Sequence, residues 1–245
     1  MNYKLEIQYD GSRYDGWQRQ GNTGKTIQGK IEETLEKLLE KPVEIYGAGR
    51  TDGGVHALRQ VANFHFERDV DPEKLKSELN RYLPEDIGIL SVTKVPERFH
   101  SRLNATGKIY RYRVALGNYK NIFDRKQIYP LNQPLNVDAM KKGAALMTGE
   151  KDFKGFSSGK KGKKSTVRRL DSIEIREGQG EVILEFKGNG FLYNMVRILT
   201  GTLLEIGMGK REIETIPEIF TTGERTLAGF TAPARGLTLV EVFYS

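Results

Sequence analysis

A glycine-rich segment between two predicted strands holds the residues best suited to chemistry. It reads Gly47-Ala48-Gly49-Arg50-Thr51-Asp52-Gly53-Gly54-Val55-His56-Ala57. Because glycine allows positive φ and close approach of the backbone to a ligand, the segment would hold the Asp52 carboxylate on a tight turn near Arg50. In the alternative interpretation the segment is an ordinary hairpin in which Asp52 caps its own backbone, and spacing alone slightly favours that alternative.

Several kinds of site are excluded or disfavoured by residue type. The 245-residue chain has no cysteine, which excludes disulfides, thiolate zinc sites and cysteine nucleophiles. The glycine-rich segment lacks the Gly-Lys-Ser/Thr of a P-loop, so binding of nucleoside triphosphates is disfavoured. The histidines, His56, His65 and His100, show no metal-ligand spacing. We therefore expect neither a metal nor another cofactor.

Positive charge is concentrated in two stretches that contain no acidic residue. Lys and Arg number 39 against 32 Asp and Glu, a net charge of +7. The first stretch, 154–170, contains Lys154, Lys160, Lys161, Lys163, Lys164, Arg168 and Arg169. The second, 98–123, contains Arg98, Arg102, Lys108, Arg111, Arg113 and Lys120. Such runs can be merely a solvated surface. Two runs with interleaved aromatics on an otherwise acidic chain instead favour a polyanion partner such as nucleic acid.

Hydrophobic periodicity in the first half predicts the order βαββαβ. Alternation predicts a strand over 3–9, and helical spacing from Ile27 to Leu39 predicts a helix with Thr26 as its N-cap and Pro42 beyond its end. Strands are predicted at 43–48 and 62–66. A helix that starts at Asp71-Pro72 and a strand over 87–95 complete the unit.

The second half repeats this order with longer loops. Strands are predicted at 108–116, 167–176, 182–186 and 237–244, and helices at 137–147, 191–206 and 213–220. We therefore predict an α+β fold of two ferredoxin-like βαββαβ halves that form a mixed, mainly antiparallel sheet, with domains at 1–104 and 105–245. Arg197 and Glu205 interrupt the most apolar segment, and the first ten residues alternate, so we expect a cytoplasmic protein with no membrane association.

A set of motifs along the sequence resembles those of a known family. The segment Gly49-Arg50-Thr51-Asp52-x-Gly54-Val55-His56-Ala57 is similar to the signature of the tRNA pseudouridine synthase A family, tRNA pseudouridine(38-40) synthase. Further family-like motifs follow in order from residue 9 to residue 237. They are Tyr9-Asp10-Gly11-Ser12-x-Tyr14-x-Gly16-Trp17-Gln18-Arg19-Gln20, Thr26-Ile27-Gln28, Phe99-His100-Ser101-Arg102, Lys108-x-Tyr110-x-Tyr112, Asp152-Phe153, Gly190-Phe191-Leu192-Tyr193-Asn194-Met195-Val196-Arg197, Thr226 and Ala232-Pro233-x-x-Gly236-Leu237.

The resemblance implies isomerisation of uridine to pseudouridine in the anticodon stem-loop of tRNA. Asp52 matches the family's catalytic aspartate, which can attack a carbon as a nucleophile or remove the ribose 2′ proton; the sequence leaves both routes open. Arg50 matches an arginine thought to fill the space that the flipped uridine leaves.

Three further residues take implied roles from the same motifs. Tyr110 matches an active-site tyrosine that stacks on uracil and can accept the C5 proton. Arg197 would pair with Asp52 and keep its carboxylate ionised, because an unpaired guanidinium in the most apolar helix would be costly. Leu237 matches a position that packs against uracil. From spacing alone, Tyr110 and Leu237 could equally be core residues of strands, and Arg197 could pair with Glu205.

RNA contacts are expected from the loop 11–24 and from the basic stretches. The candidates are Arg13, Trp17, Arg19, Lys160, Lys161, Lys163, Lys164 and Arg168. Trp17 could instead anchor its loop to the core. The family resemblance also implies a homodimer. Two rival functions remain: an RNA-binding protein without catalysis, and a hydrolase in which Asp52 acts with a histidine or a metal.

Overall fold

The computed structural model describes residues 1–118, 122–159 and 165–245. The chain forms two compact units, which we call unit 1, Met1–Thr106 with Thr238–Ser245, and unit 2, Gly107–Leu237. The sequence analysis divided the chain at a similar point but placed the C-terminal strand in the second half. The structure groups that strand with unit 1, because Thr238 and Leu239 pair in parallel with His56 and Ala57.

Unit 1 has the predicted order βαββαβ. Its elements are β1 (Asn2–Tyr9), α1 (Ile27–Leu39), β2 (Tyr46–Gly47), β3 (His56–His65), α2 (Pro72–Tyr82) and β4 (Ile87–Val95). The antiparallel strands lie in the order β4-β1-β3, and β2 pairs with β3.

Unit 2 contains the remaining elements. They are β5 (Ala105–Leu116, of which residues 107–116 lie in unit 2), β6 (Tyr129–Leu131), α3 (Val137–Met147), β7 (Gly149–Asp152), β8 (Val167–Gly178), β9 (Glu181–Gly188), α4 (Met195–Gly207) and α5 (Thr215–Thr222). The chain ends in β10 (Leu237–Tyr244), whose residues from Thr238 onward belong to unit 1. Strands β5, β9, β8 and β7 are antiparallel neighbours in that order, and β6 pairs in parallel with β5. The protein is therefore an α+β protein, as the sequence predicted.

Local sequence signals explain the ends of the first helix. The Thr26 side chain accepts a hydrogen bond from Gly29 N at 3.2 Å, which confirms the predicted N-cap. Glu40 ends the helix in the left-handed conformation, at φ +59°. Ile27, Ile31 and Leu35 are buried, so one face of α1 packs into the hydrophobic core, and polar residues lie beside that face.

Three elements differ most from their predicted bounds. The strand expected at 62–66 begins six residues earlier in β3, at His56. The strand expected at 43–48 is reduced to the two residues of β2. Helix α4 begins at Met195 rather than at 191, because Asn194 adopts a left-handed conformation with φ +59° and interrupts the helical backbone. Within the described ranges, none of the helices has the length and apolar character needed to cross a membrane.

Candidate active site

The Asp52 turn of unit 1 is held by backbone contacts on both sides. Gly16 and Asp52 form an isolated antiparallel bridge, and Trp17 N donates to Thr51 O at 3.0 Å. The turn closes through Val55 N, which donates to Asp52 O at 3.1 Å. Asp52 is half-buried. These backbone bonds therefore hold the main chain of the turn that carries Asp52, whose side chain keeps access to solvent.

Two glycines of the loop 11–24 allow it to pack against this turn. A Cβ on Gly16 would lie 2.7 Å from Thr51 O, and Gly16 has φ +106°, which favours glycine. A Cβ on Gly11 would lie 1.9 Å from Val55 O. Any side chain at either position would push the loop away, so the glycines of the first motif serve the position of Asp52.

Trp17 is a structural anchor in unit 1. Its side chain is 1% exposed, and a Cβ on Gly47 would lie 2.4 Å from its Nε1 atom. This burial favours the anchoring role that the sequence left as an alternative to RNA contact. Behind the turn, the Tyr9 hydroxyl and Thr51 Oγ1 share a hydrogen bond of 2.8 Å. Burial raises the pKa of Tyr9, although the bond to Thr51 opposes this effect.

Arg50 lies exposed at the start of the turn, and its guanidinium has a defined partner. Its Nε donates to Gln18 Oε1 at 3.1 Å. Gln18 Nε2 in turn donates to Gln28 Oε1 at 2.7 Å. Both glutamines lie in the family-like motifs, but the sequence predicted no role for either. One sequence feature could have predicted a contact: Gln28 and Glu32 are polar residues four apart on α1, so their side chains lie on the same face, beside the apolar residues.

The other two predicted cations of the first loop are already paired with carboxylates. Arg13 donates through Nε and Nη2 to Asp86 Oδ2 at 2.8 and 2.6 Å, and Asp86 raises its pKa. Arg19 lies 3.3 Å from the carboxylate of Glu32, a residue that is 5% exposed. Both guanidiniums remain largely exposed, so either can still face a phosphate, but their charge is partly compensated.

In unit 2, Tyr110 lies on β5 in the register of an ordinary strand residue. It pairs with Phe186 across β9, is 8% exposed, and its ring meets that of Phe191 edge-on at 5.2 Å between centroids. Phe191 comes from the segment that precedes α4. The geometry therefore fixes the Tyr110 ring between a strand and this segment.

Arg197 is held at the start of α4 by unit 2 residues. Its Nε donates to Ala232 O at 2.7 Å, and its Nη1 donates to Asn194 Oδ1 at 3.0 Å. Glu205, the alternative partner from the sequence, instead pairs with Arg211 at 2.7 Å. Two donors of the guanidinium are thus fixed by neighbouring main-chain and amide groups.

The Tyr112 ring packs closely against the motif at 232–237. The Tyr112 hydroxyl donates to Pro233 O at 2.8 Å, and a Cβ on Gly236 would lie 2.7 Å from Cζ of the same ring. Burial raises the pKa of Tyr112, and the neighbouring Tyr129 adds to the effect. Leu237, which follows directly, is 5% exposed.

The described arginines of the two basic stretches include several that already have hydrogen-bond or ion-pair partners. On β5, Arg111 donates to Glu185 at 3.0 Å, and Arg113 contacts both Glu181 and Asp124. Arg168 lies on β8 and donates to the carbonyl of Ser165 at 3.0 Å. The four predicted lysine contacts, Lys160, Lys161, Lys163 and Lys164, lie outside the described residues. Within 1–118, 122–159 and 165–245, no group of three or more His, Cys, Asp or Glu is placed to hold a metal.

Side chains fixed in this way by backbone groups are typical of an enzyme active site. Comparison with known proteins gives the particular family. The family model described as tRNA pseudouridine synthase matches residues 6–104 and 144–245. The chain belongs to the tRNA pseudouridine synthase family and is an enzyme of the isomerase class.

Full-length relatives carry the same name. The chain is 48% identical over 238 residues to "tRNA pseudouridine synthase A" of Bacillus sp. (strain KSM-64), with 97% of each chain covered. It is 42% identical over 245 residues to "tRNA pseudouridine synthase A 2" of Clostridium tetani, with 100% of this chain and 99% of the relative covered. A solved structure, "Crystal Structure of a Cbf5-Nop10-Gar1 Complex", gives a TM-score of 0.35 at 14% identity over 97% of this chain and 58% of that chain.

Proposed function

We propose that this enzyme isomerises uridine to pseudouridine at positions 38–40 of the tRNA anticodon stem-loop. The family and the names of the relatives support a tRNA pseudouridine synthase. The target within tRNA comes from the motif resemblance, above all Gly49-Arg50-Thr51-Asp52. The bridge between Gly16 and Asp52 is the observation that carries the proposal, because it fixes a half-buried carboxylate on a rigid turn.

The reaction rearranges bonds within one nucleotide. The N1–C1′ bond breaks, the uracil turns, and a C5–C1′ bond forms. The hydrogen on C5 leaves as a proton, and N1 gains a proton, so the product is an isomer of the substrate. No oxidant, reductant or group donor is consumed.

Asp52 is the residue proposed to start this rearrangement. As a nucleophile it would bond to the sugar or base and later leave as a carboxylate. As a base it would remove the ribose 2′ proton to form a glycal. Either route needs the carboxylate held in one place, which the backbone bonds from Trp17 and Val55 to this turn provide.

Arg50 is proposed to occupy the space that the extruded uridine leaves in the stem-loop. Base flipping costs a few kcal/mol of unstacking, and a planar cation that stacks and contacts phosphate offsets part of this cost. Arg50 is exposed and lies two residues before Asp52 in the chain, which suits a group that inserts into RNA.

Tyr110 and Leu237 are proposed to contact the uracil. Tyr110 would stack on the ring and accept the C5 proton, directly or through water. Its edge-on contact with Phe191 supports this role, since a fixed ring loses little conformational freedom on stacking. Leu237 would pack against the other part of the base.

Arg197 is proposed to pair with Asp52 and keep its carboxylate ionised and oriented. The support is that its Nε and Nη1 atoms are held by Ala232 and Asn194, so the plane of the guanidinium is set. A guanidinium with a set plane can present parallel donors to a carboxylate.

Binding of the stem-loop is assigned to cations of the first loop and of the stretch 154–170 rather than to Trp17. Lys160, Lys161, Lys163 and Lys164 are the main candidates, with Arg13, Arg19 and Arg168 as further phosphate contacts. We also propose that the enzyme acts as a homodimer, as the family resemblance implies.

Tritium release tests the proposed activity. Purified enzyme is mixed with tRNA that carries tritium at C5 of uridine, with no added cofactor, metal or nucleotide. We expect tritium to pass to water, and mapping of the product to place pseudouridine at positions 38–40. If the enzyme binds the tRNA but releases no tritium, the protein is an RNA-binding module without catalysis and the proposal is wrong.

A further inference from the structure

A chain of side-chain hydrogen bonds in unit 1 connects the exposed Arg50 to the buried carboxylate of Glu32. It runs from Arg50 through Gln18 and Gln28 to Glu32, with distances of 3.1, 2.7 and 2.8 Å. Gln28 and Glu32 are 4% and 5% exposed. Polar groups buried to this extent require partners, so the chain is a built feature of the core.

The direction of every bond in this chain is set at Glu32. A carboxylate oxygen accepts hydrogen bonds, and Glu32 Oε1 accepts one from Ile45 N at 3.0 Å and one from Gln28 Nε2. Gln28 Nε2 also donates to Ile45 O at 3.1 Å. The amino group of Gln28 therefore faces two acceptors. A flipped amide would instead place its oxygen against the carboxylate.

The orientation of the Gln28 amide determines the orientation of the Gln18 amide. Because its amino group faces Glu32, Gln28 presents its oxygen to two donors, Arg19 N at 2.9 Å and Gln18 Nε2 at 2.7 Å. Gln18 must use its amino group on this bond. Only its oxygen is left to face Arg50, and an oxygen is what the guanidinium Nε needs.

We infer that Gln18 is a positioning residue, which holds the Arg50 guanidinium in one orientation for insertion into the RNA. The inference rests on the proposed role of Arg50 in base flipping. An exposed arginine has several rotatable bonds and would otherwise sample many orientations. A bond at Nε restrains the plane of the guanidinium, and its two terminal nitrogens are proposed to contact phosphate or base of the RNA.

A merely structural role for Gln18 would give a different pattern of effects. If Gln18 only stabilised its loop, its loss would lower thermal stability and add to the effect of losing Arg50. A positioning residue instead acts through Arg50, so its effect disappears once Arg50 has been removed.

The test is a double-mutant cycle with Gln18→Met, Arg50→Ala and the double variant. Methionine keeps the length of the side chain but offers no amide. We expect Gln18→Met to slow single-turnover tritium release by about tenfold, the scale of a hydrogen bond to a charged group. Its dissociation constant for tRNA should change less than about threefold, because phosphate contacts dominate affinity. The double variant should react as fast as Arg50→Ala alone.

Two matched variants complete the design. Gln20→Met changes the same residue type in the same loop, where the side chain donates to the carbonyl of Asp15 at 3.0 Å, and it should keep the wild-type rate. Gln18→Asn is too short to bond to both neighbours and should repeat the loss if Gln18→Met does not fold.

Each outcome separates this inference from the proposed function. A wild-type rate for Gln18→Met, or a full extra loss in the Arg50→Ala background, overturns the positioning role alone. If Arg50→Ala itself reacts at the wild-type rate, the proposed role of Arg50 fails, and the inference fails with it.

Discussion

Arg197 and Ala232 hydrogen-bond to each other in both directions. Arg197 Nε donates to Ala232 O at 2.7 Å, and Ala232 N donates to the Arg197 carbonyl at 3.1 Å. The segment 232–237 therefore holds the side chain and the main chain of one proposed catalytic residue together. In the same segment, Pro233 O accepts a hydrogen bond from the Tyr112 hydroxyl, and Gly236 lies close to the Tyr112 ring.

This relationship predicts that charge alone is not enough at Arg197. Arg197→Lys keeps the positive charge but has one terminal nitrogen in place of the fixed Nε and Nη1 donors. We expect at least about a tenfold loss in single-turnover rate, since one or two charge-assisted bonds are lost, with tRNA affinity within about threefold.

Arg225→Lys is the matched control for this prediction. Arg225 also bonds to the segment before β10, through Ala228 O and Thr231 Oγ1, but has no proposed part in the reaction. Arg225→Lys should lower the unfolding temperature without changing the single-turnover rate. Equal losses of rate in the two variants would show that Arg197 acts only by stabilising this segment.

Gly236→Ala should destabilise unit 2 by overpacking. The added methyl carbon would lie 2.7 Å from the Tyr112 ring and 2.9 Å from Arg113 O, so the ring or the strand must move. Overpacking of this kind typically costs about 1–3 kcal/mol. Urea unfolding would measure the loss. Gly178→Ala, where a methyl would meet nothing within 4 Å, should change the free energy of unfolding by less than about 0.5 kcal/mol.

Stability should fall at alkaline pH because of buried tyrosines. Burial raises the pKa of Tyr112 and of Tyr9 above the ordinary value of 10.0. Above that pH the unfolded chain loses these protons while the folded protein keeps them, so ionisation favours unfolding. Below pH 9 neither state ionises and the contribution is constant. The expected loss is about 1 kcal/mol per tyrosine at pH 11.

Phenylalanine variants separate this effect from general alkaline unfolding. Tyr112→Phe and Tyr9→Phe should each reduce the slope of unfolding free energy against pH between pH 9 and 11, because each removes a phenol whose pKa burial raises. An unchanged slope in Tyr112→Phe would contradict the assignment.

Salt dependence should distinguish paired cations from those available to RNA. Replacing Lys160, Lys161, Lys163 and Lys164 by alanine should weaken tRNA binding and reduce the slope of log affinity against log salt by at least about 1. Arg111→Gln should change that slope by less than about 0.3, because Arg111 already pairs with Glu185. If loss of the four lysines leaves the slope of log affinity against log salt unchanged, the proposed contact of these lysines with tRNA is wrong.

The order of elements in unit 1 was predictable because each carries its own local signal. Alternation marks β1, the stripe from Ile27 to Leu35 marks α1, and Asp71-Pro72 marks the start of α2. The grouping of the last strand with unit 1 was not predictable, since it depends on pairing with β3, about 180 residues away in the chain.

Charge in sequence also differs from charge in space. Arg111 lies in a run without acids, yet the β5–β9 register places Glu185 directly across from it. Likewise Arg13 meets Asp86 and Arg19 meets Glu32 only after folding. Gln18 and Gln28 lie within the family-like motifs, which predicted no role for them, because their hydrogen-bond partners depend on the tertiary structure.

Asp52 is proposed to perform the chemistry while other groups hold the RNA. Single-turnover release of tritium from tRNA labelled at uridine C5, measured beside tRNA affinity, tests it for Asp52→Ala against Asp138→Ala on the exposed face of α3. We expect Asp52→Ala to abolish release while affinity stays within about tenfold, and Asp138→Ala to match the wild type. Retained release by Asp52→Ala, or a far larger loss of affinity than of rate, would contradict the account.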